Sequence, residues 1–283
     1  MDVPEADPAA SAALAADPER ALALLREGEL TVHGRLTTAS NAVFYCTVSS
    51  AGSDGGAGET AVCVYKPVRG ERPLWDFPDG TLAARETAAY EVSAATGWSL
   101  IPPTVLRDGP LGEGMVQLWV EPDPEARLLS LQDPEREEPG WRGVCLVEAE
   151  AGRTALLAHA DDPRLRRLAV LDVVINNADR KGGHLLPAAD GRLYGIDHGV
   201  TFAVPVKLRT LLWGWAGEEL DGEARAVLAD LAARLDGPLG ERLAALLTAE
   251  ELTALRERVA RLLTTGRHPE PSGDWPAIPW PPI

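Results

Sequence analysis

The sequence predicts a two-lobed α+β protein in which a small β-rich lobe precedes a larger helical lobe. Runs of alternating or buried apolar residues with a Gly-rich turn follow Gly28, whereas helical spacing dominates the second half. A stretch rich in Pro, Asp and Glu, residues 121–139, separates the two patterns and is a plausible hinge. With 283 residues and 45% hydrophobic content, the chain can form one large core or two smaller ones.

Residues 1–27 are predicted to form an N-terminal helical extension. Residues 9–26 are rich in Ala and Leu at helical spacing. Pro18 interrupts this stretch and is expected to start a second short helix that Asp17 caps.

Residues 28–121 are predicted to form the β-rich lobe. The segments ELTVHGRL, NAVFYCTVSS and TAVCVYKPV are expected to be three strands of an antiparallel meander. A helix is predicted over residues 81–96 with Gly97 as its stop, and VQLWV at 116–120 is expected to close the lobe as a strand.

Residues 122–265 are predicted to form the helical lobe, with a hairpin turn at Asp190-Gly191. Its helices are expected over residues 143–158, 164–176, 218–233 and 239–263. The remaining residues, 266–283, form an irregular tail rich in Pro and Trp, and we expect Trp275 and Trp280 to cover a groove on the body of the protein.

Composition excludes several classes of protein. The net charge of −16 opposes general binding to nucleic acid and to anionic lipid. Three scattered cysteines predict neither a disulfide framework nor a structural zinc site, and a reducing cytoplasm fits them best. No apolar run reaches the ~18 residues of a membrane span, and the acidic start of the chain is unlike a signal peptide.

Lysine is rare in this sequence: the chain has Lys66, Lys181 and Lys207 beside 24 arginines. Lys66 ends the buried strand VCVYKP and could be a surface lysine. Glu86, on the following helix, could instead pair with it and fix the ammonium group for phosphate binding. Glu91 is an alternative partner on a different face of that helix.

Two further segments carry candidate chemistry. The segment DVVINNADRKGGHLL places Asp179, Arg180, Lys181 and His184 in one short loop. An Asp followed five residues later by a metal-ligand type has the spacing of a kinase catalytic loop, although alone it could be a turn with a surface ion pair. Asp197 in LYGIDHGV follows two short strands, as a metal-binding carboxylate of a kinase does.

Together these segments make the chain resemble the phosphatidylinositol 3- and 4-kinase superfamily, most closely the type II phosphatidylinositol 4-kinases and their bacterial relatives. The resemblance also includes SNAVFY, RETAAYEVSAATGWSLIPPTV, MVQLWVE and YGIDHGVTFAV. It implies a kinase-like fold that binds ATP and Mg²⁺ or Mn²⁺ between the lobes.

The resemblance also implies contacts to the nucleotide from the first lobe. Ser40 and Asn41 would cover the phosphates, although a plain turn is the alternative. Lys66 would contact the α- and β-phosphates with Glu86 as its partner. Gln117 to Val120 would be the hinge strand, with the backbone near Trp119 and Val120 bonded to adenine.

From the second lobe, the resemblance implies that Asp179 is the catalytic carboxylate and Asp197 the principal metal ligand. Arg180 would either support the site from behind or face the phosphates. The segment from His198 to Thr210 would occupy the position of an activation segment and shape the acceptor site.

Departures from the family pattern concern the metal and the membrane. His184 replaces the usual Asn, and imidazole suits Mn²⁺ better than Mg²⁺, so His184 could be a metal ligand, a phosphate-binding cation or a sign of a lost site. Lys181-Gly182-Gly183 lacks the acidic and amide residues of the family. Arg164, Arg166 and Arg167 suggest a basic patch, which Arg180, Lys181, Lys207 and Arg209 could extend to hold an anionic headgroup or phosphate. The net charge opposes this, so we expect at most weak peripheral contact with a membrane.

The predicted function is γ-phosphoryl transfer from ATP to a hydroxyl group of an inositol lipid, a protein or a small metabolite. One alternative is a nucleotide-binding pseudokinase or regulatory module. The other is transfer of AMP on a kinase-like fold.

Overall fold

Five antiparallel strands form the sheet of the first lobe, and the fifth strand along the chain lies between the third and the fourth. The structure, a computed structural model, describes residues 13–36, 41–52, 58–77, 80–136, 138–148 and 152–282. The predicted meander is confirmed as its first three strands. The fourth strand was not predicted. The strands are Glu29–Leu36 (β1), Val43–Ser49 (β2), Thr60–Pro67 (β3), Thr104–Gly109 (β4) and Gly112–Leu118 (β5).

The first lobe also carries helix α1, Pro18–Glu27, which begins at the predicted proline. The Asp17 side chain accepts a hydrogen bond from the backbone N–H of Arg20 at 3.2 Å and so caps the helix. Leu24 and Leu25 are buried in the same apolar core as the sheet. This part of the predicted extension is therefore packed into the lobe.

Helix α2, Leu82–Thr96, ends at Gly97, whose φ of 72° lies in the left-handed region that favours glycine. Its Ala88, Ala89 and Val92 belong to the apolar core of the second lobe. A buried ion pair between Arg85 and Glu251 joins the helix to the same lobe. The helix is buried on several faces, so its position is fixed relative to the second lobe.

Four helices form most of the second lobe. The predicted single helix over 239–263 is wrong, because one helix ends at Ala244 and another begins at Ala249. Thr248 and Glu251 form a capping box that starts a new helix. The helices are Pro163–Ile175 (α3), Gly222–Leu235 (α4), Pro238–Ala244 (α5) and Ala249–Thr265 (α6).

The predicted helix over 143–158 is also wrong, because this region forms strands. Trp141–Glu148 (β7) and Thr154–Ala160 (β8) pair along their length, and β8 also pairs with Leu129–Gln132 (β6) inside the predicted hinge loop. Gly152, with φ 69°, lies in the left-handed region between the two longer strands. Long-range pairing thus overrides the helix propensity of Ala, Leu and Glu.

The hairpin predicted at Asp190-Gly191 is confirmed as Leu185–Pro187 (β9) and Leu193–Gly195 (β10). The fold class is therefore the predicted α+β arrangement of a β-rich lobe followed by a helical lobe, with a three-stranded sheet added to the second lobe. Among the described residues, we find no helix whose length and apolar character would let it cross a membrane.

Candidate active site

Lys66, at the end of β3, lines a cleft of about 740 Å³. Its Nζ lies 2.7 Å from Oε1 of Glu86 and is also ion-paired with Asp197. Burial lowers the pKa of Lys66, but the negative charges of Asp197 and Glu86 outweigh this effect and hold the pKa above its ordinary value. The ammonium group is therefore charged and held between two carboxylates.

Glu86 is buried on helix α2, and its second oxygen, Oε2, accepts a hydrogen bond from the backbone N–H of His198 at 2.9 Å. Glu91, the alternative partner for Lys66, instead pairs with Arg242 at 2.8 Å. The partner of Lys66 is therefore Glu86 and not Glu91.

Asp197 follows β10 closely and has a φ of 59°, a left-handed conformation that Asp tolerates better than most residues. Its side chain is 49% exposed, on the open side of the cleft. The charge of Lys66 lowers the pKa of Asp197 well below its ordinary value. Asp197 is therefore an ionised, accessible carboxylate. It pairs with Lys66, the lysine of β3 that also pairs with Glu86 of α2.

Asp179 lies in the loop after α3 and lines the same cleft. Its backbone N–H donates to Oδ1 of Asn177 at 3.0 Å, which shapes the turn. Lys181 Nζ lies 3.0 Å from Asp179 Oδ2 and also borders the cleft. The sequence interpretation placed Lys181 in a basic group that could hold an anionic headgroup or phosphate, but did not predict its pairing with Asp179. Its place two residues after the predicted catalytic carboxylate was the available signal.

Arg180 does not line the cleft. Its side chain is fully buried, ion-paired with Asp172 at 2.9 Å, and donates to the carbonyl of Ile196 at 3.0 Å. Burial excludes a phosphate-facing guanidinium, so that half of the expectation is wrong. Arg180 joins the loop of Asp179 to the strand end before Asp197 and positions both.

His184 faces Asp197, with its Nε2 3.5 Å from Asp197 Oδ2. Two donors that each lie ~2.1 Å from one ion at a right angle are ~3 Å apart, so both side chains can reach one ion. Its Nδ1 accepts a long 3.4 Å hydrogen bond from the backbone N–H of Lys181. Coordination through Nε2 would require the proton on Nδ1 and would break this bond. Burial lowers the pKa of His184, which favours the neutral ring.

The described residues contain no group of three His, Cys, Asp or Glu side chains placed to hold a metal ion. Asp197 and His184 supply two donors. Such a pair suits an ion whose remaining ligands are phosphate oxygens and water, as is usual for Mg²⁺.

The expected hinge strand differs from its predicted form. Gln117 is buried, and its side chain donates to Oγ1 of Thr104 at 2.8 Å, so the side chain does not reach a nucleotide. The N–H of Trp119 donates to the carbonyl of Val62 at 2.9 Å. An adenine contact would therefore have to use the Trp119 carbonyl or the Val120 backbone.

In the first hairpin, Asn41 lines the cleft, and Ser40 lies outside the described residues. The Asn41 side chain accepts a hydrogen bond from the backbone N–H of Arg72 at 2.9 Å. Asn41 is therefore bonded to the segment of residues 71–77, which also lines the cleft, and the sequence did not reveal this contact.

Comparison with known proteins identifies a family. Protein Rv2133c of Mycobacterium tuberculosis is 52% identical to this chain over 268 residues, which cover 92% of this chain and 94% of Rv2133c. The chain belongs to the Rv2133c family. No family model matches it.

A solved structure of the Helicobacter pylori proinflammatory kinase CtkA is also similar to this Rv2133c relative. It has a TM-score of 0.40 and 10% identity, covering 86% of this chain and 94% of that chain. This likeness is too remote to carry an argument about activity.

The cleft of this Rv2133c relative is bridged at its mouth by residues from both lobes. Asp76 pairs with Lys207 at 2.6 Å, and the ring of Trp75 stacks on that of Trp275 with centroids 6.3 Å apart. Lys207 Nζ lies 4.8 Å from the Trp75 ring centroid and 4.9 Å from that of Trp275. Trp280, in contrast, is 79% exposed, so its predicted covering role is wrong.

The tail also contacts the loop that carries Asp179 and His184. The backbone N–H of Gly182 donates to the carbonyl of Pro282 at 2.9 Å, and the N–H of Thr210 donates to the carbonyl of Ala277 at 3.0 Å. The indole of Trp213 donates to the same Ala277 carbonyl at 2.9 Å. The predicted irregular tail is thus bonded to the loop that carries Asp179 and His184.

Proposed function

We propose that this protein is an ATP-dependent phosphotransferase that transfers the γ-phosphate to a hydroxyl group. The observation that carries the proposal is the position of Lys66, whose ammonium joins Glu86 and Asp197 in a cleft that Asp179 also lines. A lysine fixed by a helix glutamate, next to a loop carboxylate, is the arrangement by which kinases bind phosphates.

The cleft can perform this reaction by positioning charge. Lys66 would donate hydrogen bonds to the α- and β-phosphates, with Glu86 keeping its ammonium oriented. Asp179 would accept the hydrogen bond of the acceptor hydroxyl and take its proton as the acceptor oxygen bonds to the γ-phosphorus. The bond between that phosphorus and the bridging oxygen breaks, and ADP leaves with the electron pair. Lys181 lies close enough to Asp179 to contact the transferred group.

Asp197 and His184 would hold a divalent ion together with the nucleotide phosphates. The ion supplies charge neutralisation on the phosphate oxygens. The donor set fits Mn²⁺ at least as well as Mg²⁺, because one donor is an imidazole.

For the acceptor, we propose a soluble or protein hydroxyl. The net charge of −16 opposes approach to an anionic leaflet, although the resemblance to phosphatidylinositol kinases points to an inositol lipid. The tryptophans and Lys207 at the mouth of the cleft would contact the acceptor.

Incubation with ATP labelled at the γ-phosphate, and in parallel at the α-phosphate, tests the proposal. The purified protein and a bacterial lysate are incubated with each ATP in Mg²⁺ or Mn²⁺, and labelled products are identified by mass spectrometry. Label from the γ-position alone is the expected result.

Label from the α-position would instead establish AMP transfer. Nucleotide binding with neither label transferred would establish a pseudokinase. The Lys66→Met protein serves as the inactive control, and Arg69→Met, which removes a nearby exposed cation, as the matched control.

A further inference from the structure

A second cavity of about 500 Å³ lies in the second lobe, among α3, α6, the segment before Trp213 and the tail. It shares no lining residue with the cleft that holds Lys66. Its volume is in the range of small-molecule sites. The interpretation of the sequence gave no binding role to its residues other than Val206 and Leu208, which lie in the segment expected to shape the acceptor site.

One wall of this cavity is apolar. Val173 of α3 and Leu262 of α6 contribute aliphatic surface, and Trp213 contributes an indole. Val206, Leu208 and Pro269 extend the same wall. This composition favours a ligand with an apolar body.

Arginine side chains add positive charge to the cavity. Arg258 is 9% exposed, and its Nε and Nη1 donate to the carbonyls of Val174 and Ala203 at 2.9 and 3.3 Å. Its Nη2 has no hydrogen-bond partner, and within the described ranges no carboxylate is at ion-pair distance from Arg258. Burial lowers the pKa of Arg258 to about 10, an effect that the charges of Glu251 and Glu257 oppose. A buried cation with an unbonded N–H group and no carboxylate at ion-pair distance is destabilising, and the charge of an anion bound in the cavity would offset part of that loss.

Arg261 lines the same cavity from the solvent side, one turn further along α6. It is exposed, and in the part of the chain that the structure describes it forms no ion pair. Arg267 is already paired with Glu219 at 2.9 Å, and Glu270 is the acidic residue among those that line the cavity. The local excess of positive charge contrasts with the net charge of −16.

We propose that this cavity binds an amphipathic anion, a carboxylate or phosphate attached to an apolar chain or ring. The apolar part would pack on Val173 and Leu262, and the anionic head would lie at Arg261 with Arg258 behind it. This proposal does not rest on the phosphotransferase activity.

The cavity shares a stretch of chain with the mouth of the cleft. Val206 and Leu208 face the cavity, whereas Lys207 and Arg209, which alternate with them, face the cleft or its rim. A ligand in the cavity would therefore contact the segment that carries Lys207.

Fluorescence titration with anilinonaphthalene sulfonate, an aromatic amphipathic anion, tests the proposal. Phenylnaphthylamine, which has the same rings without the charge, is the matched probe. We expect saturable binding of the anion, and a dissociation constant about tenfold higher in Arg261→Gln because a charge-assisted contact is lost. Binding of the neutral probe should be unchanged by Arg261→Gln. The control Arg35→Gln removes an exposed arginine from the other lobe and should change neither titration.

A second variant locates the probe. Thr265 is exposed and lines the cavity, so Thr265→Trp fills it without removing a buried side chain, and this variant should abolish binding of both probes. Competition by decanoate and by naphthoate distinguishes an aliphatic from an aromatic ligand.

Absence of saturable binding would overturn the proposal, as would equal affinities in the Arg261→Gln and Arg35→Gln proteins. Unchanged binding in a folded Thr265→Trp protein, as judged by its circular dichroism and melting temperature, would also overturn it.

Discussion

Glu86 accepts a hydrogen bond from the backbone N–H of His198 at 2.9 Å. The glutamate that pairs with Lys66 therefore also fixes the residue directly after Asp197. One buried carboxylate thereby couples the sheet, helix α2 and the loop that carries Asp197. Arg85, its neighbour on the helix, anchors the same unit to α6 through Glu251. The site is therefore held from both lobes.

Replacing Lys66 should abolish phosphoryl transfer while the protein stays folded. Lys66→Met removes the ammonium that we propose as the phosphate contact, and we expect the rate to fall about a hundredfold or more. The rate is measured with γ-labelled ATP alongside Arg69→Met, and a folded Lys66→Met protein with nearly normal activity would contradict the role of Lys66.

Replacing Asp197 should weaken metal-dependent nucleotide binding. Asp197→Asn removes the charge of the accessible carboxylate that we propose as the main ligand of the ion. Isothermal titration with ATP is compared in the presence and absence of Mg²⁺. An affinity for Mg²⁺-ATP equal to that of the unmodified protein would exclude Asp197 as the main ligand.

His184 should set the metal preference. We expect activity to be higher with Mn²⁺ than with Mg²⁺, and His184→Asn to shift the ratio toward Mg²⁺ because an amide oxygen replaces an imidazole. The measurement is the ratio of initial rates with the two ions. The same ratio in both proteins would show that the ring stays bonded to Lys181 and does not bind the ion.

Acid should destabilise the fold through His268. Burial, with the charge of Arg166 beside it, lowers the pKa of His268 to about 4, whereas the unfolded residue has a pKa of ~6.5. Between these values the unfolded state binds more protons, so the free energy of unfolding falls as the pH drops from ~6.5 toward 4. Glu218 and Asp221 reduce the shift without reversing it.

Denaturant unfolding at several pH values, compared with His268→Gln, isolates this contribution. The variant keeps an acceptor for Arg166 and should lose stability less steeply in that window. Parallel curves for the two proteins would contradict the assignment.

Activity on phosphatidylinositol in anionic vesicles should be low. Of the seven basic residues that could hold a headgroup, Arg209 donates to the backbone carbonyls of Pro276 and Ile278, and the other six pair with acidic neighbours. The pairs are Arg164 with Asp162, Arg166 with Glu218, Arg167 with Glu223, Arg180 with Asp172, Lys181 with Asp179, and Lys207 with Asp76. Each unpaired basic residue near a membrane contributes only ~1 kcal/mol, so the total charge should dominate.

Vesicle co-sedimentation and a lipid kinase assay at low and physiological salt measure this expectation. Strong, salt-sensitive binding with a phosphoinositide product would restore the lipid kinase interpretation.

The sequence predicted the pairing of Lys66 with Glu86 and a nearby Asp197, because the three motifs occur in the right order and spacing, but it did not predict the ion pair between Lys66 and Asp197. Lys66 ends a buried strand, Glu86 lies on a well-delimited helix, and Asp197 follows a hairpin with a recognisable turn. The burial of Arg180 was harder to predict, because it depends on an ion pair with Asp172 in the preceding helix. No local pattern showed that this carboxylate would face the loop.

The strands between residues 141 and 160 could not be predicted for a related reason. Their residues favour a helix in isolation, and only pairing with β6 makes strands the better solution. The contact between Trp75 and Trp275 joins segments far apart in the chain, which periodicity does not reveal.

The distribution of lysine has a practical consequence for chemical labelling. Lys66 and Lys181 line the cleft, and Lys207 is paired with Asp76 at its mouth, so all three lysines of the chain border one site. The other side-chain cations are arginines, which stay protonated and do not react as amines do. An acylating reagent, a lysine-directed fluorophore or an amine-coupled sensor surface would therefore modify side chains only at the cleft. Such coupling would report on this site or block it, whereas Cys145, the partly exposed cysteine, offers an attachment point elsewhere.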